Sequence, residues 1–317
     1  MIRALDLFCG VGGSSCGAFA AGVEIVAGID MWPIATSTYA SNFNDAHVIT
    51  ERLEDLDLNS LRRQVGTIDI LLASPECTNH SCAKGGAPRS ESSRATAMHV
   101  VKFAEALQPR WIMLENVVYM KPWSRYGELK QRLRCIGYHL EEYILDASEF
   151  GVPQTRRRLF LVGDRKKKPN SSVNKLEMKV KSATSILDPP GVWKTSPLFK
   201  DKRAVPTVER AKRGFQVLGD KASFLLVYYG SDGSGGWQPL SRPLRTVTTI
   251  DRFALVEHEG RVPRMRMLQV PELKRAMGFD ENFNMPYGTR RDRVKLLGNA
   301  VCPPVAKAVV QTLISSS

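Results

Sequence analysis

The chain lacks the paired cysteines that metal and redox centres use. Its six cysteines, Cys9, Cys16, Cys77, Cys82, Cys135 and Cys302, are scattered with no C-x-x-C spacing, which argues against both a disulfide framework and a zinc site. The five histidines, His47, His80, His99, His139 and His258, are equally dispersed, so no metal is expected. No apolar run approaches the ~18 residues of a membrane span. The N-terminus passes straight from Met1 into the strand-like Ile2-Arg3-Ala4-Leu5-Asp6-Leu7-Phe8, without the apolar segment and cleavage site of a secretory signal. A cytoplasmic protein with no membrane partner is expected. Acidic residues are also scarce: 32 Asp and Glu face 45 Lys and Arg, a formal charge of +13.

That excess suits a polyanionic partner, because Lys and Arg that neutralise phosphates release condensed counterions. Charge alone would equally suit a solubilising surface. Its distribution separates the two readings. Between Arg165 and Arg213 there are fourteen Lys or Arg against four Asp or Glu, the footprint of a nucleic-acid-binding lobe.

A chain of 317 residues exceeds what one hydrophobic core comfortably serves, roughly 250–300 residues, so two unequal lobes are expected. Up to about residue 163, short β-rich runs alternate with helical patterns, the signature of a doubly wound, mostly parallel α/β sheet. Strands are predicted at residues 3–8, 23–29, 68–73, 111–115, 140–145 and 158–162, and helices at 14–21, 33–42, 95–107 and 126–136. Residues 1–164 are read as the catalytic and cofactor-binding domain. From Arg165 the sequence turns basic and irregular, with Asp188-Pro189-Pro190-Gly191 and a glycine-rich run at residues 230–236, and a smaller, irregular lobe is expected over 165–285. Helices are predicted at 272–277 and 304–314, with residues 286–317 packing back on the first domain.

Asp6-Leu7-Phe8-Cys9-Gly10-Val11-Gly12-Gly13 places a glycine-rich turn between the first strand and the first helix, where glycine lets backbone approach a ligand. Such turns also serve packing alone. A dinucleotide fingerprint is disfavoured, since its third glycine would fall at Ser15. Asp30 follows the second strand, where a carboxylate either accepts hydrogen bonds from ribose hydroxyls or caps the helix beginning at Pro33. The run Ile68-Asp69-Ile70-Leu71-Leu72-Ala73-Ser74-Pro75-Glu76-Cys77 carries a cysteine just past a buried strand, at the edge where open α/β sheets bind ligands; a free cysteine is more often an inert small hydrophobe. Trp111-Ile112-Met113-Leu114-Glu115 brings a carboxylate to that edge, which costs desolvation unless it is partnered or used. Gln154-Thr155-Arg156-Arg157-Arg158 adds guanidinium groups before another apolar strand.

Together these pieces and their order resemble the cytosine-5 DNA methyltransferase family. The likeness runs through Phe8-x-Gly10-x-Gly12, the element around Cys77, Ser93-Arg94-Ala95-Thr96, Glu115-Asn116-Val117, Gln154-x-Arg156-x-Arg158, the segment 242–248 and Gly298-Asn299-Ala300-Val301. The resemblance implies a double-stranded DNA substrate, S-adenosyl-L-methionine as methyl donor and an S-adenosylmethionine-dependent methyltransferase fold. It also implies action as a monomer, and target recognition by the unaligned interval from about Arg165 to Pro239. By position it assigns Cys77 as the nucleophile that adds to cytosine C6, Glu115 as the acid that protonates N3, and Arg156 and Arg158 as arginines near the base. Around the cofactor it assigns Phe8, Gly10, Val11, Gly12, Asp30, Glu51, Leu53, Asn299 and Ala300; at the DNA, Ser81, Lys84, Arg94 and Gln154. Residues 79–94 correspond to a loop that would close over a cytosine flipped out of the duplex.

Three positions depart from the family pattern. Glu76 and Thr78 flank Cys77 where relatives usually carry proline and glutamine, and a carboxylate beside a thiol opposes thiolate formation unless it is paired or turned away. Asp30 stands where the family has glutamate. Two alternatives remain open: a tRNA methyltransferase with the same core, although the Cys-Phe-Thr element of that branch is missing, and a catalytically silent DNA-binding relative.

Overall fold

The computed structural model describes residues 1–76, 95–175, 179–229 and 235–315. Its first half alternates strand and helix: β1 (Arg3–Leu7), α1 (Gly13–Ala20), β2 (Glu24–Asp30), α2 (Pro33–Ala40), β3 (His47–Thr50), α3 (Leu58–Val65) and β4 (Ile70–Ala73). Further along come α4 (His99–Leu107), β5 (Trp111–Val117), α5 (Tyr126–Cys135), β6 (His139–Asp146) and β7 (Arg157–Asp164). The seven strands form one sheet in the order β3-β2-β1-β4-β5-β7-β6. Strands β1 to β5 pair in parallel, while β7 runs antiparallel to both β5 and β6.

Period-2 alternation explains why this sheet has helices on both faces. Ile70, Leu72, Trp111 and Met113 pack on one side with Ala35 and Tyr39 of α2 and the C-terminal helix; Leu71, Ala73, Ile112 and Leu114 pack on the other with α3, α4 and α5. The predicted strands and helices of this half all form, with ends shifted by a few residues. Strand β3 was not anticipated: it is four residues at the sheet edge, half exposed, too short for its pattern to stand out.

The second lobe is more regular than its sequence suggested. Strands β8 (Ser196–Pro197), β9 (Phe224–Val227), β10 (Trp237–Pro239), β11 (Phe253–Glu259) and β12 (Val262–Met267) form an antiparallel sheet, ordered β10-β9-β11-β12-β8. The helix α6 (Val205–Leu218) covers one face, where Ala211 and Phe215 meet Phe224, Leu226, Ala254 and Val256. On the opposite face Leu225, Val227, Phe253 and Leu255 join the core of the first sheet. The helices α7 (Val270–Ala276), α8 (Arg290–Asn299) and α9 (Pro303–Ser315) then return the chain to the first domain.

An 18-residue window within Arg290–Ser315 is apolar enough by composition to cross a membrane, but 72% of it is buried in the protein. The stretch comprises two helices, α8 and α9; Val305, Ala306, Val309, Val310 and Leu313 of α9 are buried in the shared core, and α9 packs directly against α1.

Gly17 permits that contact: a Cβ there would lie 2.5 Å from the Ala306 Cβ and 2.6 Å from the Pro303 carbonyl oxygen. Backbone cannot swing aside as a side-chain tip can. Overpacking by about 1–3 kcal/mol should therefore outweigh the gain of about 1 kcal/mol from replacing a helical glycine. Gly17→Ala is expected to lower the urea midpoint of unfolding, and an unchanged or raised midpoint would show that α1 and α9 can separate freely. Asp6, on β1, is fully buried. Its Oδ2 accepts from Ser15 Oγ at 2.7 Å, and Ser15 Oγ in turn lies 2.7 Å from Tyr39 Oη; Oδ1 has no partner. Burial pushes the carboxyl up from 3.8 to about 7. Because the folded state holds this proton more tightly, its contribution is full below about pH 4 and is lost as pH rises through 7. Relative to Asp6→Asn, the wild-type protein should lose stability between pH 5 and pH 8, by at most about 4 kcal/mol. Parallel denaturation curves of the two proteins across that range would contradict this.

Candidate functional site

The carboxyl ends of β1, β2, β4 and β5 lie side by side, and the segments leaving them are tied to one another. At the first strand, Phe8, Gly10 and Gly12 all have left-handed backbone, with φ of 56°, 53° and 94°. Glycine is needed at residue 12 for space as well, since a Cβ there would sit 2.5 Å from the Phe43 ring. Above Gly10 the space is open, with nothing within 4 Å of the missing Cβ. The loop is pinned to β2 by Cys9 N donating to Ile29 O at 3.0 Å and Gly10 N donating to Asp30 Oδ2 at 3.0 Å.

Asp30 ties two backbone segments together and does not cap α2. Its Oδ1 accepts from Trp32 N at 2.9 Å, just ahead of Pro33 in α2, and its carbonyl accepts from Glu51 N at 3.2 Å. A carboxylate has about four lone-pair sites, so the two backbone bonds leave capacity for hydroxyl donors. Burial raises its pKa against the lowering effect of those amides. Val11 and Leu53 are buried and Glu51 is exposed. Asn299 is exposed at the end of α8, followed by buried Ala300. Met31, which the sequence did not single out, stands 62% exposed beside Asp30; nothing in the sequence distinguishes it from a core methionine. An open glycine loop, a carboxylate with spare acceptor capacity and an exposed apolar side chain suit the ribose and adenine of a nucleoside cofactor.

The next tie joins the glycine loop to β4. Ser74 N donates to Leu7 O at 3.2 Å, and the hydroxyls of Ser14 and Ser74 lie 3.2 Å apart. Asn116, fully buried at the end of β5, donates from Nδ2 to Pro75 O at 3.0 Å while its Oδ1 accepts from Val117 N. The backbone two residues before Cys77 is thereby anchored to the strand that carries Glu115. Cys77 itself, and the residues expected at the DNA, Ser81, Lys84 and Arg94, lie outside the described residues.

Glu115 is 6% exposed, and Arg158 Nε stands 3.1 Å from its Oε1. The two effects oppose each other: burial raises the carboxyl pKa, and Arg158 and then Arg156 lower it. Burial wins, so Glu115 holds its proton above the ordinary carboxylate range. Register explains the pairing, because antiparallel β5 and β7 place Val117 opposite Arg158.

Two residues of the Gln-x-Arg-x-Arg run are placed differently from expectation. Gln154, expected at the DNA, is fully buried. Its Oε1 accepts from Val247 N at 2.7 Å and its Nε2 donates to Ala276 O at 2.9 Å, so its polar groups are occupied between the lobes. Arg156, expected beside the base, is 3% exposed. It lies near enough to influence Glu115, but its guanidinium donates to Val247 O at 2.8 Å, Gly298 O at 2.8 Å and Ala300 O at 3.0 Å. The sequence does not separate these placements, because an Arg or Gln beside a strand looks the same whether it faces solvent or a second lobe.

Other thiols near this edge are held protonated. Cys302 is pushed up to about 11, chiefly by burial, although Arg156 and Arg158 oppose it; Cys9 and Cys16 are raised by burial as well. Among the described residues no group of His, Cys, Asp and Glu could hold a metal. In the basic region the arginines mostly brace structure: Arg203 donates to Leu198 O, Ser196 Oγ and Pro197 O, and Arg213 donates to Gly235 O. Lys166, Lys167, Lys179, Lys181, Lys194, Lys200 and Lys202 are exposed.

With this geometry the chain is similar to known proteins in three ways. It is 34% identical over 169 residues to the Type II methyltransferase M.HgiDI of Herpetosiphon aurantiacus, covering 52% of this chain and 52% of that protein. It is 27% identical over 172 residues to a tRNA (cytosine(38)-C(5))-methyltransferase of Rattus norvegicus, covering 53% and 44%. The alignments thus span about half the length of these relatives. The structure of the S. pombe Dnmt2 methyltransferase superposes with a TM-score of 0.73 at 18% identity, over 100% of this chain and 99% of that one, a likeness of fold. The family model for C-5 cytosine-specific DNA methylases matches residues 2–315, almost the whole chain, and the protein belongs to that family.

Proposed function

We propose that this chain transfers a methyl group to C5 of a cytosine flipped out of a specific double-stranded DNA sequence. The observation that carries this reading is buried Glu115, on the strand next to the one leading to Cys77 and paired with Arg158 of β7, with Asn116 of the same strand anchoring Pro75. Phe8, Gly10, Val11, Gly12, Asp30, Glu51, Leu53, Asn299 and Ala300 would hold S-adenosyl-L-methionine, with Met31 beside the adenine. When bound, the cofactor supplies an electrophilic methyl group on a positively charged sulfur.

The chain's own residues prepare the base. The Cys77 thiolate adds to C6, and the ring electrons displaced by that bond are neutralised by a proton at N3, leaving C5 enamine-like and nucleophilic. Glu115 holds that proton because burial keeps its carboxyl neutral to higher pH. Arg158 fixes its direction. Removal of the C5 proton by a base then lets the thiolate depart. Raised pKa values at Cys9, Cys16 and Cys302 make those thiols poor rivals for the nucleophile's role.

Residues 1–164 serve as the catalytic and cofactor domain, residues 165–285 read the DNA target, and residues 286–317 close the cofactor side. The exposed lysines of the second lobe supply a sequence-independent attraction to phosphate, so binding should weaken steeply with salt. DNA is favoured over tRNA by the family model and by M.HgiDI, and because Thr78 follows Cys77 directly, without the Cys-Phe-Thr element.

Radiolabelled methyl from S-adenosylmethionine should appear on double-stranded DNA of mixed sequence and be absent with Cys77→Ser. Label on tRNA alone would transfer the reading to RNA, and label on neither would leave the silent relative. Glu115→Gln, which keeps shape but loses the proton to be given, should lower kcat by roughly 10²–10⁴-fold with KM for the cofactor little changed. A loss below threefold would remove Glu115 from the chemistry. Glu76 is expected to alter cofactor or base handling; unchanged methyl-transfer kinetics and cofactor affinity in Glu76→Pro would discard that idea.

A further inference from the structure

Gln154, Arg156 and Arg158 alternate along one extended stretch, with Thr155 and Arg157 exposed between them. Period-2 geometry puts their three side chains on one face. The last faces the catalytic carboxylate and the first two enter the joint between the domains. At that joint a short parallel bridge pairs Gln154 with Leu244. Thr155 N donates to Leu244 O at 2.8 Å, Leu244 N donates to Pro153 O at 2.9 Å, and Thr246 Oγ1 donates to Thr155 O at 2.9 Å.

Arg156 extends this joint to the cofactor side. One guanidinium nitrogen donates to Val247 O in the second lobe, and another donates to Gly298 O and Ala300 O, which flank Asn299. Two glycines make the same path tight. A Cβ on Gly298 would land on the Thr248 carbonyl, and one on Gly13, at the end of the cofactor loop, would land on the Val301 carbonyl oxygen. Backbone therefore touches backbone from the cofactor loop to residues 298–301, and from there to residues 247–248. Contacts of this kind have no side-chain slack, so a displacement at one end is felt at the other.

We propose that Arg156 is a positioning residue that couples cofactor binding to the placement of the second lobe, through the turn at residues 298–301. It does so without touching either ligand. The inference rests on the reading of the chain as a DNA cytosine methyltransferase. Coupling of this kind is reciprocal: the cofactor strengthens DNA binding by the factor by which DNA strengthens cofactor binding.

The test is the affinity for S-adenosylhomocysteine, which carries no methyl to transfer, measured by titration calorimetry with and without duplex DNA that the wild-type enzyme methylates. The wild-type protein should bind it at least about fivefold more tightly with DNA present. Arg156→Lys keeps the charge but cannot reach three carbonyls with a planar fork. It should weaken cofactor binding and bring the ratio close to one, whereas a merely architectural role would lower the melting temperature and leave the ratio intact. Thr246→Val loosens only the lobe side and should lower the ratio partway, which keeps the test available if Arg156→Lys fails to fold. Equal ratios in the wild type and the folded variants, or a wild-type ratio of one, would overturn the coupling alone. Failure of the wild-type protein to bind either ligand would overturn the functional reading and this inference with it.

Discussion

Burying a guanidinium costs several kcal/mol unless its donors are satisfied, and the arrangement of this protein turns on how the Arg156 side chain meets that cost. Three of its hydrogen bonds go to backbone carbonyls of two separate segments, one in the second lobe and one where α8 ends. A charged donor bonded to a carbonyl is worth about 1.5–3 kcal/mol, so the burial is tolerable only while both segments stay in place. The closure of the C-terminal helices on the first domain and the seat of the second lobe are thus conditions of one another. Gln154 repeats the pattern at the next position on the same face, drawing on Val247 and Ala276.

The same logic organises the sheet edge. Asp30, Asn116 and the Ser14–Ser74 pair each spend polar groups on fastening one loop to its neighbour. The glycine loop, the approach to Cys77 and Glu115 are consequently presented as one rigid surface, which catalysis by positioning requires. Glu115 is the exception. It is buried against Arg158 with Arg156 nearby, and the two guanidinium groups offset only part of the desolvation; the remainder appears as a carboxyl that keeps its proton. A carboxyl poised in this way is available for proton transfer, whereas the Arg266–Glu272 pair, more deeply buried, bidentate at 2.7 Å and bonded further to Gln269 N and Asp188 N, is a brace.

The second lobe is an extension of the first domain's core. One face of its sheet is closed by α6 and the other, through Leu225, Val227, Phe253 and Leu255, belongs to the core shared with α9. Its positive charge divides largely by residue type: several arginines cross-link local backbone, and the lysines from Lys166 to Lys202 stand in solvent, whereas Lys274 is buried on the carbonyls of Glu281 and Phe283. A lysine-rich surface of this kind attracts phosphate without naming a base.

Much of the fold was legible in the sequence because it depends on local periodicity. Alternation in residues 70–73 and 111–114 and the glycines of the first loop specify strands, helices and their crossovers with little help from distant residues. Glu115 could be recognised as unusual for the same reason, since a carboxylate ending an apolar strand conflicts with its surroundings. Strand β3 was missed because four half-exposed edge residues carry too little pattern. The antiparallel sheet of the second lobe was missed because, although β11 and β12 form a local hairpin, the pairings that complete it, β9 with β11 and β8 with β12, join segments well apart in the chain. Tertiary structure alone decided that Gln154 and Arg156 face a joint, that Asp30 braces two backbones and that Met31 stands exposed. The physical reason is common to all four: a side chain's chemistry is written in the sequence, but its partner is whatever remote segment the fold brings within hydrogen-bonding distance, and burial is a property of that assembly.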